Sequence, residues 1–181
     1  VTGAASALEW RRGRGARVLV GAVQNLGAAR PEGEPPLFMN GVGGLGAPWW
    51  QADFPIEFVG PGSELLQLTA VIESVAFMLA ANLATLQQAA PLMRISISGG
   101  LSNCDYLCHA LADLSGLVVE RYALHEATAR GAAFLAAGEP EDWQVLPVDR
   151  VFEPAANEPL RARQTRWHAE LARRLRTVPG N

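Results

Sequence analysis

The sequence predicts an α/β domain in which a mixed sheet is flanked by helices. Apolar residues recur every three or four positions from Leu65 to Leu86, which is the spacing of one buried helix face. The segment 93–98 then alternates, with Ile95 and Ile97 on one side, as expected of a strand. A chain of 181 residues that is 49% hydrophobic can bury a proper core, so we expect one compact domain.

The first part of the chain contains a short helix pattern and a loop. Residues 4–11 are interpreted as the end of a helix, which Gly13 and Gly15 interrupt before a short apolar run at 18–23. The segment 30–36 contains three prolines and is predicted to be a loop.

The long apolar pattern predicts one helix, capped by Ser63 and ending before Pro91. Its stretch 74–93 has no charged residue and is long enough to raise the question of a membrane span. Polar side chains such as Asn82 and Gln87 interrupt that stretch. We therefore expect a core helix and no membrane.

The second half of the chain alternates strands and helices. A helix is predicted from about Asn103 to Leu114, with Ser102 or Asn103 as its cap and Gly116 after its end. The segment 117–122 reads as a second strand, and 125–139 reads as a helix whose alanines allow close packing. Beyond residue 140 we expect a peripheral tail and a final amphipathic helix, Arg163–Arg176.

The charged residues exclude several classes of function. The net charge is only −3, the chain has no lysine, and its arginines form one cluster near each end. The absence of lysine excludes a Walker-type phosphate loop, which uses a lysine. No recognised nucleic-acid motif or aromatic-interleaved basic groove accompanies these arginines. We therefore expect a solvated arginine surface and no nucleic-acid partner.

The two cysteines, Cys104 and Cys108, are predicted to be buried as small apolar side chains. Their spacing of four on one helix is unsuited to a disulfide, and His109 adds too few ligands for zinc. A reducing cytoplasm fits this cysteine usage. We expect no metal site in the chain.

Two glycine-rich segments are candidate ligand sites. The segment Gly41–Gly46 fits the G-x-G-x-x-G pattern of dinucleotide-binding proteins, and Glu64 lies at a distance suited to a ribose ligand. The context argues against an oxidoreductase, because Pro35 and Pro36 weaken a preceding strand and a Pro-Trp-Trp sequence follows where a helix should begin.

The second segment, Gly99-Gly100, lies between the predicted strand and the next helix. Bare backbone at this position would let a flat ligand or a phosphate approach closely. The alternative is a tight turn that requires glycine for its geometry alone. Spacing by itself leaves both interpretations open.

Four segments in a fixed order resemble the C-terminal domain of the FGGY carbohydrate kinases, including glycerol kinase and xylulokinase. GVGGLGAPWW resembles the family's G-L-G-A-P-Y-W element, and IESVAFML resembles its long-helix E-x-[IV]-A-F. SGGLSNCDYLCHALADLSGLVVER resembles its G-G segment with A-D-x-x-G, and EATARGAAFLAAGEP resembles its E-x-[ST]-A-x-G-A-A. The opening GAASALEW also resembles the helix that precedes this region in glycerol kinases.

The resemblance implies an actin-like ATPase (ribonuclease H-like) fold, in which two domains close on ATP and a sugar. Residues 1–181 would be the single C-terminal nucleotide-binding domain, with a core of about 1–140 and a peripheral tail and helix at 141–181. The N-terminal sugar-binding domain would lie outside this sequence, together with the catalytic base and the phosphate loop. No catalytic residue is therefore assigned here.

The resemblance also implies which residues contact the nucleotide. The adenosine pocket would be lined by the Gly-Gly turn and by the first turn of the helix that follows it, with two further contacts from the opening helix. These positions are Gly99, Gly100, Leu101, Asn103, Cys104, Ala5 and Glu9.

Three positions depart from the family pattern. The asparagine of glycerol kinases falls on Cys104, with Asn103 one residue early, and Glu9 replaces a common glutamine. QADFPIEFVG stands where the family has D-P-x-A-R-G, so its arginine is missing. The subfamily is therefore not fixed by the motifs.

The function implied is ATP-dependent phosphorylation of a sugar or polyol hydroxyl by a cytoplasmic enzyme, with Mg²⁺ as the cofactor of ATP and a homodimer left open. Two alternatives remain: a non-kinase nucleotide-binding or regulatory domain of the actin-like superfamily, and a structural or oligomerising domain. The carboxylates available in the chain are expected to be packing or solvent residues. They are Asp53, Glu73, Asp105, Asp113 and Glu126.

Overall fold

The computed structural model describes residues 4–13, 33–122, 126–144 and 146–177. The helices are α1 (Ala4–Gly13), α2 (Glu64–Ala89), α3 (Asp105–Ser115), α4 (Ala127–Ala136) and α5 (Glu158–Leu175), and the strands are β1 (Leu37–Asn40), β2 (Ile56–Val59), β3 (Arg94–Ile97), β4 (Val118–Tyr122) and β5 (Val148–Phe152). The predicted apolar run at 18–23 lies outside the described residues.

The strands form two sheets. β1 and β2 pair as an antiparallel hairpin, and the other three strands follow the order β3-β4-β5. β3 runs parallel to β4, while β5 runs antiparallel to it, so this second sheet is mixed as predicted. Ile95 and Ile97 of β3 pack with α2 and α3 residues around Leu111 and Val119.

The central helix α2 agrees with the prediction at both ends. The Ser63 hydroxyl accepts a hydrogen bond from the backbone N–H of Leu66 at 3.4 Å, and the helix ends at Ala89, two residues before Pro91. Its length and mean hydropathy of 1.6 are those of a membrane-spanning helix, but 67% of the apolar stretch is buried inside the protein. Burial of this extent is that of a core helix.

The start of α3 differs from the prediction. A 3-10 helix, Gly100–Asn103, follows Gly99, and Cys104 occupies the cap position without a side-chain cap bond. Ser102 is not the cap, because its hydroxyl donates back to the carbonyl of Gly99 at 2.6 Å. The predicted end is confirmed, since Gly116 adopts the left-handed conformation (φ 71°) that closes α3.

The C-terminal region is not a peripheral tail. β5 joins the mixed sheet, and α5 begins at Glu158, five residues before the predicted Arg163. Asn157 caps this helix by accepting from the backbone N–H of Leu160 at 3.2 Å. Trp167 is 0% exposed, and its indole N–H donates to the carbonyl of Phe38 at 3.0 Å. α5 therefore completes the core.

Two of the C-terminal arginines are buried rather than solvated. Arg163 forms a bidentate ion pair with Glu73 of α2. The Tyr106 hydroxyl donates to the same carboxylate at 2.5 Å. The side chains of Glu73 and Arg163 are 1% and 7% exposed. Arg174 is also buried and pairs with Glu57 at 2.6 Å.

The helix α4 packs less closely than its alanines suggested. None of its residues is buried, and Leu135 is 65% exposed. Close packing through this helix, expected from the sequence, is therefore not seen among the described residues.

Candidate functional site

The Gly99-Gly100 turn lies at the carboxyl end of β3. Because β3 and β4 are parallel, their carboxyl ends meet at the same edge of the sheet, which is where open α/β sheets bind ligands. Gly99 has a φ of 91°, so its conformation favours glycine, whereas Gly100 lies outside that left-handed region. A Cβ added at either glycine would meet no atom within 4 Å. The backbone therefore faces open space.

The inner side of the turn is held by Ser102. Its backbone N–H and its hydroxyl both donate to the Gly99 carbonyl, at 3.1 and 2.6 Å. The N–H of Cys104 donates to the carbonyl of Leu101 at 3.1 Å, which completes the 3-10 helix. Ser102 is 3% exposed, so this short helix is anchored on the protein side and open on the other.

The predicted contact residues of the turn differ in exposure. Leu101 and Asn103 are partly exposed, whereas Cys104 is 1% exposed and belongs to the core around Leu107. Burial raises the pKa of Cys104, and it raises the pKa of Cys108 to about 12. Both thiols are therefore neutral at pH 7 and pack as small apolar groups, as predicted. The buried Cys104 side chain is not accessible to a ligand.

The opening helix α1 carries the two remaining candidates, Ala5 and Glu9. It packs through Ala7 against α2 and β1, and the partly buried Leu8 contacts the core cluster that Leu101 also contacts. Glu9 is exposed. Leu8 of α1 and Leu101 of the turn pack against the same core cluster, and among the described residues no hydrogen bond joins Glu9 to the glycine turn.

A charged cluster beside the turn was not anticipated from the sequence. Arg121, in β4, donates to Asp105 and to Asp149, in each case at 2.8 Å, and to the Ser102 carbonyl at 3.4 Å. Arg150 donates to the second oxygen of Asp105. The parallel β3–β4 register and the antiparallel β4–β5 register bring these residues together. Local patterns do not contain that information.

A cavity of about 310 Å³ opens just before the turn. The guanidinium of Arg130 lies over the ring of Trp143 at 4.8 Å and donates to the Gln144 carbonyl. This stacked pair forms one wall, and the end of β3 forms another. The lining residues are Ser96, Ile97, Ser98, Tyr122, Arg130, Trp143, Gln144 and Leu146.

The Gly41–Gly46 segment is a loop of the β1–β2 hairpin. The preceding strand β1 forms despite the two prolines, but it pairs antiparallel with β2, and no helix follows the glycines. A Cβ at Gly41 would lie 2.0 Å from the Phe54 carbonyl oxygen, so this glycine is required by close backbone packing. These observations argue against dinucleotide binding here, in agreement with the prediction.

The carboxylates take structural or exposed positions. Asp113 accepts from the backbone N–H of Ala155 at 2.9 Å and from the Asn157 amide at 2.6 Å, and Glu73 and Asp105 are in the ion pairs described above. Asp53 and Glu126 are exposed. Within the described ranges, no three His, Cys, Asp or Glu side chains are grouped to hold a metal ion.

Comparison with known proteins places the turn in a recognised domain. Residues 8–138 match the C-terminal domain of the FGGY family of carbohydrate kinases. Glycerol kinase of Acaryochloris marina is 31% identical over 164 residues, which cover 83% of this chain and 32% of that protein. Glycerol kinase of Gloeobacter violaceus is 33% identical over 187 residues, covering 93% of this chain and 37% of that protein.

The fold agrees with this relationship. A crystal structure of Plasmodium falciparum glycerol kinase with ADP superposes with a TM-score of 0.77 at 20% identity, covering 98% of this chain and 38% of that one. The chain thus spans about a third of the length of the relatives it matches. The mixed sheet, the glycine turn at its edge and the match over residues 8–138 together show that the chain belongs to the FGGY family of carbohydrate kinases and contains its C-terminal domain.

Proposed function

We propose that residues 1–181 form the C-terminal, nucleotide-binding half of a kinase that transfers a phosphoryl group from ATP to a hydroxyl of a sugar or polyol. The observation that carries the proposal is the open backbone of Gly99 and Gly100 at the carboxyl ends of two parallel strands. This turn lies inside the segment that matches the family.

The chain's own contribution is to bind and orient the nucleotide. Phosphoryl transfer requires mainly positioning and charge stabilisation, with Mg²⁺ bridging the phosphates. In this proposal the adenosine lies against Gly99, Gly100 and the first turn, Leu101–Cys104, while α1 contributes the positions Ala5 and Glu9. The magnesium ion arrives with ATP, whose phosphate oxygens are suited to it.

The hydroxyl substrate and the catalytic base belong to a domain outside residues 1–181 in this proposal. Glycerol is the first substrate to test, because glycerol kinases are among the relatives with 31–33% identity over most of the chain. A pentulose is the second, since a xylulose kinase of Rhodospirillum rubrum shares the fold with a TM-score of 0.71. The neutral, buried cysteines suit the cytoplasm that we propose as its location.

The test is a kinase assay on the polypeptide that contains this chain. ADP formation would be measured with ATP, Mg²⁺ and glycerol, xylulose or gluconate, beside a reaction that lacks the acceptor. We expect ADP release that depends on one acceptor. ATP binding without acceptor-dependent release would instead support the non-kinase regulatory alternative, and the absence of ATP binding would support a structural domain.

A further inference from the structure

We infer that Arg121 is a positioning residue for the nucleotide turn, acting on Gly99 through Ser102. The inference rests on the proposed function, because it concerns how the same turn is held. Arg121 lies in the neighbouring strand β4 and donates to the Ser102 carbonyl. Its role would be to fix the position and orientation of the Gly99-Gly100 backbone.

Within the described residues, the turn is supported from its inner side. A Cβ added at Gly99 or Gly100 would meet no atom within 4 Å among the described residues, so their outer side is open. On the inner side, the Gly99 carbonyl accepts both Ser102 donors. The Ser102 carbonyl in turn accepts from the Cys108 thiol at 3.3 Å and from Arg121 at 3.4 Å. The position of Gly99 therefore depends on where Ser102 is held.

The planar guanidinium of Arg121, with several N–H donors in a fork, is suited to holding Ser102 in place. One terminal nitrogen donates to the Ser102 carbonyl and to Asp105, the first residue of α3, while the Nε donates to Asp149 of β5. One side chain thus ties the 3-10 helix and α3 to two strands. A lysine carries the same charge but lacks the planar fork that reaches all three partners.

The charged surroundings favour a fixed arginine. The Arg121 side chain is 15% exposed and Asp105 is 22% exposed, so water competes only partly for these bonds. Burial lowers the pKa of Arg121, but the hydrogen bonds to Asp149 and Asp105 outweigh burial and raise it overall. The guanidinium also lies over the ring of Phe152 at 5.5 Å, which further limits its movement.

The experiment compares ATP and acceptor binding in variants of the kinase that contains this chain. Arg121→Gln removes the charge and the fork, Arg121→Lys keeps the charge alone, and Ser102→Ala removes the hydroxyl bond to Gly99. Arg94→Gln is the matched control, because Arg94 pairs with Glu120 across the same two strands at the end remote from the turn. The Kd for ATP, the KM for the acceptor and the melting temperature are measured for each.

We expect Arg121→Gln to raise the Kd for ATP about tenfold, with a smaller rise for Arg121→Lys. Ser102→Ala should raise it several-fold, by about half an order of magnitude. The double variant should show less than the sum of the two effects, because both act on Gly99 through one residue. The acceptor KM should change by no more than about twofold. A general destabilisation of the protein would instead weaken the binding of both substrates. Arg94→Gln should match the unmodified protein.

An ATP Kd that stays at the unmodified value in folded Arg121→Lys and Ser102→Ala variants would overturn the inference, even if Arg121→Gln fails to fold. Equal losses of ATP and acceptor binding would also overturn it, since they would indicate a structural role alone. A failure of the unmodified protein to bind ATP would instead overturn the proposed function, and the inference with it.

Discussion

At Gly100 the backbone lies outside the left-handed region, and an added Cβ would meet open space. The neighbouring Gly99 differs, because its φ of 91° would strain most other residues. A substitution at Gly100 therefore tests ligand approach, whereas one at Gly99 would mix ligand approach with strain.

We predict that Gly100→Val weakens ATP binding by at least about tenfold, or about 1.4 kcal/mol, because the branched side chain fills the space proposed for adenosine. The acceptor affinity and the melting temperature should change little. Isothermal titration with ATP and a thermal melt check the result. Gly131→Val is the control, since a Cβ at Gly131 also meets no atom within 4 Å but lies in α4. Unchanged ATP affinity in folded Gly100→Val would remove this turn from the site.

Breaking the buried Glu73–Arg163 pair is predicted to destabilise the fold more than breaking an exposed ion pair. Glu73→Gln leaves the Arg163 guanidinium buried without a full counter-charge, and breaking a buried pair in this way costs about 3–5 kcal/mol. Chemical denaturation of the two proteins measures the difference. The control Arg173→Gln breaks the Arg173–Glu170 pair, in which Arg173 is 59% exposed, and should cost no more than about 1 kcal/mol. Equal losses would contradict the role given to burial.

At the level of elements, the local patterns predicted those helices and strands whose own residues carry a clear period. α2 and β3 are examples, because an apolar period of three or four and an alternation of two are both visible in the sequence. β5 was missed since Val148 and Val151 remain largely exposed and only Phe152 is buried, so its pairing with β4 has no local signature.

The cap of α3 was predicted wrongly because the sequence does not show the 3-10 helix that precedes α3. Ser102 has the side chain of a cap residue, but its hydroxyl bonds the Gly99 carbonyl within the 3-10 helix, and the α-helix begins only at Asp105. The start of α5 was placed late because Pro159 and Leu160 precede the arginine-rich segment. Proline is well suited to the first turn of a helix, and here Asn157 caps it.

The packing of α5 leads to a prediction at this scale. Trp167→Ala should destabilise the protein by about 3–5 kcal/mol, because Trp167 is fully buried between α2 and the β1–β2 hairpin and loses its bond to the Phe38 carbonyl. Trp50→Ala is the control, since Trp50 is 76% exposed. Denaturant unfolding, followed by circular dichroism, measures both. A similar small effect for the two variants would place α5 outside the core.

For the molecule as a whole, the sequence predicted the glycine turn but did not predict the long-range ion pairs that hold the turn and the core. Gly99 and Gly100 stand out because a strand period ends and a helix period begins on either side of them. Arg121 and Asp105 are 16 residues apart, and Glu73 and Arg163 are 90 apart. Such pairs form only when the whole domain has folded. The sequence therefore predicted a solvated position for Arg163, and it predicted no partner for Arg121.

The same whole-molecule view predicts that purified residues 1–181 do not phosphorylate a sugar. The chain spans about a third of the matched glycerol kinases, and we place the base and a phosphate loop outside it. If two charge-assisted phosphate contacts are missing, each worth ~1.5–3 kcal/mol, ATP affinity falls by roughly two to four orders of magnitude relative to the complete kinase. Coupled ADP assays and ATP titrations on both proteins measure these differences, and circular dichroism verifies that the shorter one is folded. Acceptor-dependent turnover of glycerol, a pentulose, a hexulose or gluconate by residues 1–181 alone would contradict this division of the site.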